Sequence, residues 1–211
     1  MSRLLIRQYE IGPLNNFLYL LGDPETKEMA MVDPAWDVDF LLNEAQKLGY
    51  KITKVFLTHA HPDHVNGLPG LLAKHKLPVY INKHEYPPLR PRVEGLVDVT
   101  DKDKLTVGKI SFDILHTPGH TPGCQCFLTQ GQLISGDTLF IDGCGRVDLP
   151  GGDVKIMYQS LCKLAKLPDE TVVYPGHNYG PTPTDTIGHQ KETNPYLQAH
   201  NLNEFLTERM G

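Results

Sequence analysis

Apolar positions in the first third of the chain come in short runs separated by turn residues. Leu4 to Glu10, Phe17 to Leu21 and Met29 to Asp33 are runs of this kind, with Gly22-Asp23-Pro24 between the second and third. Short apolar runs bounded by Gly, Asp and Pro predict β-strands. The spacing changes after Asp37. From Val38 to Leu48 the apolar residues recur every three to four positions, which predicts an amphipathic helix with Asp37 as N-cap and Gly49 as C-terminal stop. Ile52 to Leu57 returns to the strand pattern and runs directly into Thr58-His59.

The middle of the chain is less regular. Leu68 to His75 predicts a short helix and Val79 to Ile81 a short strand, while the proline-bearing stretch from Pro87 to Val99 reads mainly as loop. Strands resume at Leu105 to Val107, Ile110 to Leu115, Cys124 to Thr129 and Gln132 to Ile134, with Gln130-Gly131 as a hairpin turn between the last two. A glycine-rich loop from Asp142 to Gly152 leads into a helix from Asp153 to about Lys166, whose apolar positions Val154, Met157, Leu161 and Leu164 keep the helical period. Val172 to Tyr174 is a further strand. Two short helices close the chain, with a break near Asn194-Pro195.

Strands followed by a helix thus occur twice. Two sheets packed face to face with helices outside would bury the apolar side of every element. His59, His120, Asp137 and His177 all follow predicted strands or sit in the adjoining turns. In such a sandwich they would meet at one edge.

The chain has 211 residues, 40% of them hydrophobic and 21% charged, with a formal net charge of -5. That is enough apolar material for a core in one domain spanning 1–211, and it argues against wholesale disorder. The acidic balance and the lack of a basic stripe argue against a nucleic-acid partner. No apolar stretch approaches the length of a membrane span, and the start MSRLLIRQYEIG lacks the apolar core of a secretory signal, so a cytoplasmic location is expected. Cys124, Cys126, Cys144 and Cys162 are then expected as free thiols, with Cys124 and Cys126 as small packed side chains.

The most informative stretch is Thr58-His59-Ala60-His61-Pro62-Asp63-His64. Four imidazole or carboxylate groups in six positions suit zinc, iron or manganese. One short turn cannot enclose two ions, so distant partners are needed. The candidates are His120 in His-Thr-Pro-Gly-His-Thr-Pro-Gly, Asp137 in Ser-Gly-Asp-Thr, and His177 in Pro-Gly-His-Asn, each beside glycine. His75, His84, His189 and His200 lack ligand spacing. His116, four residues before His120, is a candidate to support a ligand rather than to be one.

The motif His59-Ala-His61-Pro-Asp63-His64, followed in order by His120, Asp137 and His177, resembles the metallo-β-lactamase superfamily over most of the chain. Gly136-Asp137-Thr-Leu-Phe, Gly143-Cys-Gly-Arg146-Val-Asp148 and Tyr174-Pro-Gly-His-Asn-Tyr179 resemble its glyoxalase II-like and persulfide dioxygenase-like branch. The resemblance implies an α/β fold, a four-layer αββα sandwich with one or two divalent ions at one edge. It also implies a ligand set: His59, His61 and His120 for one ion, Asp63, His64 and His177 for the other, and Asp137 between them. The catalytic residues would be Asp63 and Asp137. The chain stops about thirty residues after His177, short of the helical extension that helps glyoxalase II enzymes bind glutathione, so Arg146 and Tyr179 are the candidate substrate-binding residues.

Two divalent ions, zinc foremost, facing Asp63, Asp137 and a hydroxide would leave the centre net positive, attractive to a small anionic thioester. Such ions make hydroxide available near neutral pH. The expected activity is therefore hydrolysis of a thioester or ester by metal-bound hydroxide, of the hydroxyacylglutathione hydrolase type. The alternative on the same scaffold is a mononuclear iron persulfide dioxygenase using His59, His120 and Asp137. A lactonase or other hydrolase shares the fold.

Overall fold

The computed structural model describes residues 2–210, with the side chains of the last two of these left aside. The first sheet contains β1 (Leu5–Ile11), β2 (Asn16–Gly22), β3 (Glu28–Val32), β4 (Lys51–Phe56), β5 (Val79–Asn82) and β6 (Leu96–Val99), in that spatial order. β1, β2 and β3 pair antiparallel; β3 to β6 pair parallel. α1 (Val38–Lys47), α2 (Pro62–Val65) and α3 (Leu68–Lys74) lie in the connections between these strands.

The second sheet uses β7 (Lys104–Val107), β8 (Ile110–His116), β9 (Gln125–Thr129), β10 (Gln132–Gly136), β13 (Val172–Pro175) and β14 (Asp185–Thr186). Its spatial order is β14-β13-β10-β9-β8-β7. Between β10 and β13 lie the small hairpin of β11 (Leu139–Phe140) and β12 (Gly143–Cys144), and then α4 (Val154–Leu164). α5 (Ile187–Thr193), α6 (Pro195–Gln198) and α7 (Leu202–Met210) follow.

β2 shows why two sheets and outer helices are required. All seven of its residues are buried. Successive strand residues point to opposite faces, and both faces are covered. Leu18 and Leu20 pack outward with Leu41 and Ala45 of α1 and with Leu68 and Leu71 at α3. Phe17, Tyr19 and Leu21 pack inward with Phe56, Phe112, Phe127 and Ile134, between the sheets. On the far side, Cys126, Leu133 and Val173 of the second sheet pack against Met157, Leu161 and Leu164 of α4 and Phe205 of α7. The layers are helix, sheet, sheet, helix: the αββα sandwich of the metallo-β-lactamase fold.

Local signals act where the pattern places them. Asp37 caps α1 by accepting from the Phe40 N–H at 2.9 Å, and Gly49 follows the helix at φ +75. Gln130 and Gly131 both take positive φ in the β9–β10 hairpin. Three boundaries differ from the sequence expectation. Leu96–Val99, expected as loop, is the edge strand β6, paired with β5 beyond the prolines. The Asp142–Gly152 loop contains β12. The C-terminal segment breaks at Asn194-Pro195 as expected, but it forms three helical pieces because the chain is extended again at Ala199 and Asn201, accepting from the Glu204 N–H at 3.1 Å, starts α7.

Phe56 is the hub of the inter-sheet layer. It is fully buried, with ring centroids of Tyr80, Phe112 and Phe127 at 5.9, 5.7 and 5.2 Å. Phe56→Ala is expected to cost about 3–5 kcal/mol, read as a lower urea midpoint at unchanged slope. A loss below about 1 kcal/mol would mean that this layer is not the principal core.

Candidate metal centre

Every strand that feeds the site ends at the same rim of the sandwich. β4 runs into Thr58-His59, and the chain then turns through His61 into the single helical turn of α2, which carries Asp63 and His64. β8 and β9 are joined by the loop holding His120; β10 ends one residue before Asp137; β13 ends two before His177. Gly136 O accepts from Gly176 N–H at 2.8 Å, which ties the last two segments together. The backbone at Gly176 passes so close to Asp137 that a Cβ there would overlap Oδ1. Glycine is required at 176 for this approach.

The seven candidate ligands converge. His61 Nδ1 lies 2.8 Å from His120 Nε2, and His64 Nε2 lies 3.1 Å from His177 Nε2. Asp137 Oδ2 is 3.3 Å from His177 Nε2, 3.4 Å from His120 Nε2 and 3.9 Å from His59 Nε2; Asp137 Oδ1 is 3.4 Å from His64 Nε2. Asp63 Oδ2 is 3.4 Å from His177 Nε2 and 3.5 Å from His64 Nε2. The ligand atoms of His59, His61 and His120 lie within 4.8 Å of one another, and so do those of Asp63, His64 and His177. Asp137 sits between the two groups.

Backbone and side-chain acceptors orient the rings. The second imidazole nitrogen of His120 donates to Arg146 O at 2.6 Å, that of His177 to Leu14 O at 2.8 Å, and that of His64 to Asp33 Oδ2 at 3.0 Å. Such outer partners turn the other nitrogen inward as a ligand. Two inward atoms, His59 Nε2 and Asp137 Oδ1, are buried without any hydrogen-bond partner. Orphaned polar atoms at a convergence of imidazoles and carboxylates are what a cation-binding site requires. The residues present fit one or two divalent ions.

Electrostatics divide the cluster. Burial, with the neighbouring imidazoles, lowers the pKa of His59 and His120 and brings that of His61 down to about 4. Burial also works against charge on His64 and His177. There Asp137, joined at His64 by Asp33, prevails and holds both imidazoles above the ordinary histidine range. Burial disfavours the Asp137 carboxylate too, but His64 and His59 hold it well below the usual range. The second group of ligands therefore demands positive charge, whether as protons or as a cation.

Three predicted residues take other positions or double roles. Arg146 lines the cavity beside the cluster, and its exposed guanidinium makes a bidentate pair with Asp148 at 2.8 and 2.7 Å. Tyr179 also lines the cavity, 56% exposed, and stacks on His177 with centroids 4.6 Å apart. His116 does not reach His120; it bonds Pro122 O at 2.9 Å and stacks on His84. Cys124 and Cys126 are buried free thiols outside the ligand groups. The cavity has a volume of about 570 Å³, with Phe140, Ile141 and Leu149 among its apolar walls.

Two buried carboxylates escaped the sequence reading. Asp33 accepts from Thr58 N–H at 2.7 Å and Thr58 Oγ1 at 2.5 Å as well as from His64. It adds a negative charge that the sequence-based charge balance omits. Glu85, 1% exposed, accepts from Ala60 N–H at 3.1 Å and Thr121 Oγ1 at 3.0 Å, clamping the His59–His61 loop to the His120 loop. For Asp33 the available signal was a polar residue directly after the run Met29–Val32. Glu85 follows Lys83 and His84 and carried none.

Comparison with known proteins places this geometry. Residues 11–177 match the family model of the metallo-beta-lactamase superfamily. The hydroxyacylglutathione hydrolase of Maricaulis maris is 38% identical over 85% of this chain and 68% of its own length. The human mitochondrial persulfide dioxygenase ETHE1 is 32% identical over 92% of this chain and 76% of its own. The crystal structure of ETHE1 from Myxococcus xanthus superposes with a TM-score of 0.87 at 31% identity, covering 98% of this chain and 91% of the other. With its fold, its rim of histidines and aspartates and this family match in agreement, the chain belongs to the metallo-beta-lactamase superfamily.

Proposed function

We propose that the protein is a metal-dependent hydrolase that cleaves a small thioester, with two divalent ions, zinc foremost, held at the rim. His59, His61 and His120 would hold one ion, and Asp63, His64 and His177 the other. The observation that carries this reading is the place of Asp137, whose Oδ2 lies between His120 of one ligand group and His177 of the other, with Oδ1 toward His64. When bound, such ions polarise a carbonyl and make hydroxide available near neutral pH.

The chain's own residues do the rest. Asp137, kept ionised, neutralises charge between the two groups and sets their separation. Asp63 and Asp33 flank the second group and limit its net charge. Tyr179 and Phe140, 5.4 Å apart edge to face, form an aromatic wall that aligns the acyl arm. Arg146 gives its Nε and one Nη2 hydrogen to Asp148, which leaves the Nη1 side to meet an anionic group on the substrate. The thiolate leaving group needs no strong acid. The hydroxyacylglutathione hydrolase relative supports this reading.

A second reading rests on Asp137 Oδ2, which lies 3.4 Å from His120 Nε2 and 3.9 Å from His59 Nε2. His59, His120 and Asp137 form a two-histidine, one-carboxylate set of the kind that holds a single iron for oxygen chemistry. The persulfide dioxygenase relative supports it.

The deciding experiment combines metal analysis with two assays on the same preparation. About two ions per chain, with thioester cleavage and no persulfide-dependent oxygen uptake, is the expected result. One iron per chain with oxygen uptake reverses the order of the two readings. Asp137→Asn should reduce thioesterase kcat by roughly 100-fold or more; an unchanged rate would remove the carboxylate from the mechanism.

The two ligand groups should also respond differently to acid. The first group is neutral at pH 7 because its histidines are shifted down. His64 and His177 are shifted up, so an ion must displace their protons. As pH falls from about 8 to about 6, the second ion is expected to leave before the first. Metal content after dialysis across that range would show it, and simultaneous loss of both ions would contradict the assignment.

A further inference from the structure

Outside the cavity lining, the ligand-bearing turn α2 is tied to Trp36 at both of its ends, directly at one and through Asn16 at the other. The backbone N–H of Trp36 donates to Asn66 Oδ1 at 2.6 Å. Asn66 is the C-cap of α2, its own N–H bonded to Pro62 O. The Trp36 indole N–H donates to Asn16 Oδ1 at 2.9 Å. The same Asn16 donates through Nδ2 to Asp63 Oδ2 at 3.0 Å and to Asp63 O at 3.2 Å. Asp63 Oδ2 is the oxygen that faces His64 Nε2 and His177 Nε2.

This arrangement has one direction. An indole nitrogen can only donate, so it selects the oxygen end of the Asn16 amide. The NH2 end must then point at Asp63. Asp63 O and Oδ2, which can only accept, select the NH2 end from the other side, so the indole and Asp63 hold the amide in one orientation. Without the indole hydrogen the Asn16 oxygen loses its fixed partner. Asn16 is 1% exposed and is bridged through its backbone to His177, so the side chain has little other freedom.

The surrounding backbone is arranged to accommodate the indole. Trp36 holds φ +55, a left-handed conformation that a bulky residue rarely adopts. Gly12, at φ +90, lies where a Cβ would overlap the indole ring. The indole is held where the indole–Asn16 bond forms, even though 36% of the residue remains exposed. The mechanism above does not use any of these residues.

We propose that Trp36 is a positioning residue for the second ion. Through Asn16 it fixes the rotamer and the lone-pair direction of Asp63, and so sets the affinity of the Asp63–His64–His177 site without touching it. This inference rests on the two-ion reading of the rim. It also makes Trp36, the only tryptophan in the chain, a built-in reporter of that site.

The test is a titration of metal-stripped full-length protein with zinc chloride, followed by tryptophan emission and by competition with a chromophoric chelator. In the wild type, Trp36 emission should change with the second equivalent and not with the first. Trp36→Phe keeps a ring over Gly12 and removes the N–H. It should weaken the second equivalent by roughly 10-fold, the lower end for losing a ligand's outer partner, and leave the first unchanged. Asn16→Ala should do the same, and the double variant should be no worse than Asn16→Ala, since both act through one chain of bonds. Asn16→Ala also keeps the test decisive if Trp36→Phe does not fold. Equal weakening of both equivalents, or an unchanged second equivalent in a wild-type protein that binds two, would overturn the role of Trp36 while the two-ion reading stands. A wild type that takes up one ion only would overturn both.

Discussion

The rim of this protein is organised around a buried negative charge that cannot be left alone. Asp137 is almost fully withdrawn from water, and one of its oxygens has no hydrogen-bond partner. An ionised carboxylate in that position is costly unless positive charge lies beside it. The imidazoles are arranged to meet this need, through protons on His64 and His177 or through cations held jointly by both ligand groups. Asp33 and Asp63 increase the demand on the second group. The asymmetry between a neutral first group and a proton-seeking second group follows from where the carboxylates are, since all five candidate ligand histidines belong to one buried cluster.

The sandwich supplies the rigidity for this arrangement. The ligand segments follow strands that are paired within a sheet and bury one face in the core, so the loops begin from fixed points. Short bonds then connect loop to loop: Glu85 joins the His59 and His120 segments, Gly136 joins Gly176, and the strand-end residue Asp33 joins Thr58 to His64. Preorganisation of this kind lets flexible-looking loops present a centre with small tolerance. The aromatic wall of Tyr179 and Phe140 is anchored on His177 itself, so on the proposed reading substrate recognition and metal ligation would meet at one residue.

Thioester hydrolysis and oxygen chemistry on a persulfide need different metals and different numbers of ions, yet both can be built on these side chains. On the proposed reading, the choice would lie in how firmly the second group holds an ion. The residues behind Asp63 and His64 would then influence the chemistry from outside the cavity; relatives of both kinds match the chain, at 38% and 32% identity. One fold can host unrelated reactions, so the family by itself does not choose between the two.

Local chemistry was legible in the chain. The short apolar run at β2, the helical period and cap at α1, the hairpin turn at Gln130-Gly131 and the four ligands from His59 to His64 are all short-range patterns, set by neighbours within a few residues. The edge strand β6 was not legible, because its four residues are strand only by pairing with β5. Nor were Asp33, Glu85, Asn16 and Trp36. Each is an ordinary polar or aromatic residue until a distant segment is folded against it, with Asp33 and Asp63 brought to opposite sides of His64 and Glu85 placed between two loops. Sequence alone determined which groups could bind an ion. Tertiary structure decided which charges surround them, because burial and through-space charge depend on neighbours that the linear order keeps apart.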